Sequence, residues 1–367
     1  MSDTASDSRL TPASDSRPIL ITGGAGFIGS NLADRLAGEG HRVLVLDTLA
    51  RPGVERNLAW LEQRHGERIT TIVGDVRDRD TATRAASDAK AVFHLAAQVA
   101  VTTSMVDPRA DFDINLTGTL NLLEALRLGA RQVPLIFAST NKVYGDLADV
   151  ELGLASGRYE PVAGLGGTGI DERRPLDFHT PYGCSKGAAD QYVLDYGRSF
   201  GLPTAVLRMS CIYGQRQMGT EDQGWVAHFL IRALEGDKIT LYGDGRQVRD
   251  ILDVSDAVDA YVAALANIDA IQGRAFNLGG GPANAVSLLE LLAEIRTIIG
   301  REVEVGFEDW RPGDQRWYVS DARAVQSALR LSDPRPWREG VARLADWLSA
   351  ERSASLRIQP SMASAAE

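Results

Sequence analysis

Along most of the chain, short runs in which nearly every residue is apolar alternate with longer stretches whose apolar positions recur every three or four residues. The first pattern reads as buried strand and the second as amphipathic helix. The strand candidates are PILIT (18–22), RVLVLD (42–47), ITTIVGDV (69–76), AVFHLAA (91–97), VPLIFAST (133–140) and PTAVLRMS (203–210). Helical spacing follows the first of them in SNLADRLAGEG and returns over Asp107 to Leu128 and Tyr182 to Phe200. Strands apolar on both faces, with helices between them, predict an α/β fold: a doubly wound parallel sheet of the Rossmann type.

Beyond about residue 211 the pieces shorten. A helix near 224–235, a strand at ITLYG, and helices over Val254–Leu265, Leu288–Ile299 and about 336–351 predict a smaller C-terminal α/β lobe. Its expected place is over the carboxyl ends of the strands, where ligands of such sheets bind. The ends, 1–16 and 353–367, are rich in small and polar residues and are expected to be disordered tails. Between them a Rossmann domain is expected over 17–210 and a mainly substrate-binding lobe over 211–352.

Composition narrows the partners. Lys and Arg total 39 against 49 Asp and Glu, a net charge of −10, which argues against a nucleic-acid surface. No apolar run approaches the ~18 residues that span a bilayer, so no membrane partner is expected. With two cysteines, Cys184 and Cys211, and no Cys/His cluster, neither a disulfide framework nor a metal site is expected. The polar, acidic start lacks the basic-then-apolar pattern of a secretion signal, and the expected location is the cytoplasm.

Candidate chemistry begins where the first strand stops. Gly23, Gly26 and Gly29 form G-x-x-G-x-x-G between a strand and a helix, which lets a pyrophosphate approach the helix N-terminus. Asp47 ends the next strand, where a carboxylate accepts hydrogen bonds from a ribose diol and repels a 2′-phosphate. The expected cofactor is therefore NAD, not NADP. Arg51, shortly beyond, is expected in a solvated loop. Asp75, beside Val76, suits either an adenine contact or a helix cap, and His94 suits a packed core position. Further along, Tyr182 and Lys186 stand four apart, on one face of a helix. An ammonium beside a phenol, with a positive nicotinamide near, is expected to lower the tyrosine pKa and make it a general base. Thr140, at the carboxyl edge of its strand, places a hydroxyl where a substrate alcohol can bind.

Taken together, TGGAGFIGS, HLAAQ, N-L-T-G-T-L-N-L-L-E-A, S-T-x-x-V-Y-G and P-Y-x-x-S-K resemble the extended short-chain dehydrogenase/reductase superfamily, in its branch of nucleotide-sugar epimerases and dehydratases. The resemblance spans roughly residues 18 to 350. It implies a catalytic triad of Thr140, Tyr182 and Lys186. It also implies NAD contacts from Gly23, Gly26, Phe27, Ile28 and Gly29, from Asp47, Asp75 and Val76, and from Ala96, Asn115, Tyr182 and Lys186. A finer resemblance, carried by S-T-N-K-V-Y-G-D, D-Q-G-W-V and G-x-Q-V-R-D, is similar to the 2-epimerases of CDP-sugars. A homodimer through the helices near 107–128 and 182–200 is the family expectation.

The 4,6-dehydratases of the superfamily place Asp-Glu directly after the triad Thr, whereas this chain has Asn141 and Lys142. Without that acid and base, elimination of water loses its chemistry and an epimerase is the better reading. The alternatives are a UDP-sugar 4-epimerase, then a 4,6-dehydratase or a non-catalytic NAD-binding regulator. Asn141, Arg208, Ser210, Arg249 and Asp314 are the expected substrate contacts. Arg249 is a diphosphate clamp candidate because a guanidinium fork matches phosphate oxygens. Cys211 stands where many relatives carry an Asn that touches the phosphates. Cys184 is expected to pack beside the triad.

Overall fold

The apolar runs become strands because residues with no polar face are stable only between two layers. The computed structural model describes residues 15–358 apart from 166 and 312, with side chains to residue 353. In it, β1 (Ile19–Thr22), β2 (Val43–Asp47), β3 (Ile69–Val73), β4 (Ala91–His94), β5 (Leu135–Thr140), β6 (Thr204–Met209) and β7 (Arg274–Leu278) form one sheet. The order is β7-β6-β5-β4-β1-β2-β3, and every pairing is parallel. The chain leaves β1 toward one edge, then resumes at β4 toward the other. The crevice outside the carboxyl ends of β1 and β4 is therefore the topological switch point.

Alternation along the strands divides the core into two layers. Ile19, Ile21, Val43, Val45 and Phe93 pack with Leu32 and Leu36 of the helix Phe27–Gly38 and with Tyr261 of the helix Val254–Ala266. Leu20, Leu46, Val92, Leu135 and Phe137 face the other way, toward the helices Gly118–Leu128 and Thr180–Phe200. A separate apolar core, with Phe229, Leu230, Ile251, Leu291, Ile295 and Leu344, holds the C-terminal lobe together.

The expected division at residue 210 is not a clean cut. The helix Val254–Ala266 and β7 return to the main sheet, β7 pairing with β6 from Arg274 opposite Ala205 to Leu278 opposite Met209. RAFNL is short and begins with an exposed Arg, so the pattern of a buried strand is incomplete there. The helix expected over Asp107 to Leu128 is interrupted by a π-turn at Asp113–Thr117. The last helix runs Trp337–Ile358, past residue 352, while residues 1–14 and 359–367 of the expected tails lie outside the described residues.

Candidate active site

The glycine loop is built by close approach. A Cβ on Gly23, whose φ is +69°, would lie 2.8 Å from the Ala96 nitrogen, and one on Gly29 would lie 2.2 Å from the Gly23 carbonyl oxygen. Only glycine lets the helix Phe27–Gly38 start this near the ends of β1 and β4. No side chain caps that helix, so its first N–H groups are open to an anion. Asp47, at the end of β2, accepts hydrogen bonds from the main-chain N–H of Ala25 at 3.0 Å and Leu49 at 2.9 Å. Loop, helix N-terminus and Asp47 all line a cavity of about 1090 Å³ that continues past Asp75, Val76 and Ala96 to Thr140 and Tyr182. An acceptor carboxylate beside an uncapped helix start fits a ribose and pyrophosphate. Arg51 is exposed in its loop and also lines this cavity.

Asp75 does not cap the following helix. That role falls to Asp78, which accepts from the Asp80 N–H at 3.0 Å, while Asp75 sits at the cavity edge gripping Arg77 at 2.6 Å. His94 is fully buried on β4, as a core position implies. Its Nδ1 lies 2.7 Å from the Thr22 hydroxyl and its Nε2 lies 2.9 Å from the Thr119 hydroxyl. Thr119 donates its own proton to the Asn115 carbonyl, so Nε2 carries the imidazole proton. Burial holds the ring neutral, its pKa lowered to about 3.

Thr140, Tyr182 and Lys186 converge. Tyr182 and Lys186 lie on the buried face of the helix Thr180–Phe200, which Pro181 opens at its first turn and Gly201, at φ 70°, closes. The Tyr182 phenol faces the Thr140 hydroxyl, which pulls its pKa down. Lys186 donates from Nζ to the Ala138 carbonyl at 2.6 Å and stands 4.1 Å from the centre of the Phe137 ring. The expected acidification of the phenol is not what this geometry gives. Burial pushes Tyr182 up to about 12 against the pull of the Thr140 hydrogen bond, and Asp111 raises it further. Burial also brings Lys186 down to about 7. Both shifts run against the charged form because water is excluded and Nζ is directed at a carbonyl rather than at the phenol.

The substrate contacts expected from sequence separate into two groups. Asn141, Ser210, Arg249 and Asp314 line the cavity on the side of the C-terminal lobe. Arg249 is buried and grips Asp314 at 2.6 Å, while Lys142, next to Asn141, reaches the Gly313 carbonyl at 3.3 Å. Arg208 does not line the cavity. It is 4% exposed and forms a two-pronged pair with Asp190, at 2.9 Å for each contact, because its position on β6 points into the layer beneath the helix Thr180–Phe200. Asn115 also stands behind the wall. Its amide oxygen accepts from the Gln98 N–H at 2.8 Å and its nitrogen meets Asp111 and Ser185, so it fixes the HLAAQ loop rather than facing the cavity. Cys184 is exposed, not packed, and does not line the cavity.

Several lining residues escaped the sequence reading. Arg311 stacks 3.7 Å over the Tyr242 ring, and Tyr242 donates to Glu221 at 2.6 Å, forming the far wall. The side-chain oxygens of Gln217, Gln223 and Gln247, also at this cavity, have no hydrogen-bond donor among the described residues. The D-Q-G-W-V motif was the available signal for this wall, but nothing in it distinguished Tyr242 or Arg311.

A parallel sheet with its switch-point crevice, an uncapped glycine-loop helix and a Thr/Tyr/Lys group define a nucleotide-dependent α/β enzyme. Residues 19–279 match the family described as NAD dependent epimerase/dehydratase, and the chain belongs to it. Its cofactor is NAD. The chain is 44% identical over 338 residues to CDP-paratose 2-epimerase of Salmonella typhi, covering 90% of this chain and 99% of that one. It is 32% identical over 329 residues to UDP-glucose 4-epimerase of Mycolicibacterium smegmatis, covering 89% and 97%. Among solved structures it is similar to UDP-glucose 4-epimerase of Thermotoga maritima with UDP-glucose, at 29% identity and a TM-score of 0.79 over 91% of this chain and 99% of that one.

Proposed function

We propose that this chain is an NAD-dependent epimerase of nucleotide sugars, acting on a CDP-sugar at carbon 2 in the manner named for its Salmonella relative. The observation that carries the reading is the composition of the wall beside Thr140. Tyr182 offers a phenol facing Thr140, and the two positions after Thr140 hold an amide, Asn141, and a lysine, Lys142, with no carboxylic acid to protonate a leaving hydroxyl on a neighbouring carbon. Bound NAD+ supplies a hydride acceptor, then a donor, and a positive charge beside the phenol. Tyr182 takes the sugar hydroxyl proton and later returns it, and Lys186 supports the phenolate. Arg249 and Lys142 face the diphosphate and sugar, and the unpartnered glutamine oxygens suit donors on the nucleotide. The 44% identity to a CDP-paratose 2-epimerase supports the CDP-sugar and carbon-2 assignment over a UDP-sugar 4-epimerase.

The working form in this reading is a homodimer in the cytoplasm. Leu128 and Phe200 are 61% and 50% exposed on the helices Gly118–Leu128 and Thr180–Phe200, with Phe112 and Tyr192 also exposed nearby. Such a face suits a second copy of the chain. Among the described residues no helix is long and apolar enough to cross a membrane.

The test is a panel of CDP-, UDP-, GDP- and dTDP-sugars incubated with purified protein, with products resolved as epimers. Epimer formation from a CDP-sugar, without solvent deuterium on carbon in heavy water, is expected. Tyr182→Phe should lower turnover by about 10²- to 10⁴-fold while leaving binding nearly intact. Dehydrated product, or undiminished turnover by Tyr182→Phe, would reject the reading.

A further inference from the structure

A buried carboxylate outside the triad lies against its helix. Asp111, on the segment Pro108–Phe112, is 1% exposed. Its Oδ2 accepts from the Ser185 hydroxyl at 2.5 Å and its Oδ1 from the Asn115 amide at 3.1 Å. Ser185 is the residue just before Lys186, and its hydroxyl also reaches the Tyr182 carbonyl at 3.2 Å. The carboxylate is thus fixed to the very turn that carries both reacting side chains. No cation among the described residues pairs with Asp111; its partners are a hydroxyl and an amide.

The other charged groups around this turn are accounted for. Asp190, one turn further along the helix, is the larger acidic influence on Lys186, and Arg208 grips it in a two-pronged contact. From β4, His94 is neutral, and β5 brings only uncharged side chains, the Phe137 ring and the hydroxyls of Ser139 and Thr140. Ser104 meets the Tyr182 main chain from the helix Val101–Val106. On its own segment, Asp107 and Arg109 are exposed and Asp113 is partly so. Asp111 is therefore the buried carboxylate near this turn that no described guanidinium grips, and its charge acts on both Lys186 and Tyr182.

We propose that Asp111 is a positioning residue that keeps Lys186 cationic, acting through the Ser185 turn of the catalytic helix. Burial alone drives Lys186 toward the neutral amine, and a neutral amine cannot support a phenolate. A fixed negative charge nearby opposes that loss. Burial pushes the Asp111 carboxyl up, and the Ser185 hydroxyl and the charge of Lys186 itself pull it back toward the carboxylate. The idea rests on the epimerase reading only in taking Tyr182 and Lys186 as the reacting pair.

The sign of the effect is fixed. A negative charge raises the pKa of a neighbouring amine and of a neighbouring phenol, so removing it lowers both, and the whole pH profile of turnover moves toward acid. The direct measurement uses the ligand-free chain. It contains four lysines, so ¹³Cε-lysine labelling gives four side-chain signals, and Lys186→Met identifies the one that titrates near neutrality. Asp111→Asn should lower the Lys186 midpoint by roughly half a pH unit or more. Ser185→Ala, which removes one donor to the carboxylate, should shift it in the same direction by less, and it keeps the proposal testable where Asp111→Asn does not fold. A midpoint unchanged or raised in both variants overturns the proposal. Because this titration needs no substrate, it succeeds or fails independently of whether the chain turns over a CDP-sugar.

Discussion

Replacing Arg208 by Met separates a structural role from a substrate role with one substitution. Met keeps most of the apolar stem and removes the guanidinium, so little cavity is created. What remains is Asp190, with a side chain 0% exposed, deprived of both 2.9 Å contacts and left with the Ser139 hydroxyl at 2.7 Å and the amide of Gln191 at 2.9 Å. Breaking a buried pair from one side costs about 3 to 5 kcal/mol, because the remaining charge is neither solvated nor paired. Against a total stability on the order of 5 to 15 kcal/mol, that is a large fraction. The melting temperature should fall by roughly 5 to 10 °C. Urea unfolding followed by fluorescence measures the same loss.

The double variant Arg208→Met with Asp190→Asn removes the stranded charge together with its partner. It should recover part of the loss, a coupling visible in the double-mutant cycle. Activity at saturating substrate should persist at temperatures where each variant is folded, with KM little changed. If Arg208→Met instead melts like the parent while KM for the nucleotide sugar rises tenfold or more, Arg208 contacts substrate and the structural assignment is wrong.

Two further outcomes follow from the same accounting. A lysine held at about 7 in the fold, against about 10.5 in the unfolded chain, penalises the folded state at every pH below the unfolded value. Lys186→Met should therefore abolish turnover yet raise the stability of the ligand-free protein by a few kcal/mol at pH 7. This gain should shrink as pH rises from about 7 toward 10 in parallel urea titrations; a gain independent of pH would contradict the cause. If the proposed homodimer uses the exposed apolar face, Leu128→Asp with Phe200→Asp should turn a dimeric mass into a monomeric one by light scattering, and a mass unchanged from the parent would reject this face as an interface.

What the sequence disclosed, and what it hid, follows from how local each signal is. The glycine loop, Asp47 and the Tyr182/Lys186 spacing are read from a few consecutive residues, because a tight turn or a single helical turn constrains its own neighbours. Their convergence on one crevice follows from the strand order alone. Arg208 was misplaced because alternation on β6 decides whether it faces the crevice or the layer beneath, and its partner Asp190 is 18 positions earlier on another element. β7 was missed for a related reason: a strand that completes an edge needs fewer apolar residues than one buried in the middle, and Arg274 masks its start. The direction of the Tyr182 shift is the deepest case. Spacing shows that an ammonium can lie beside the phenol, but the balance between burial and charge depends on where the Nζ atom goes, and the carbonyl of Ala138 claims it. A site of this kind is made reactive by what enters it: burial keeps the phenol neutral, and a phenolate forms only where a positive charge close by stabilises it.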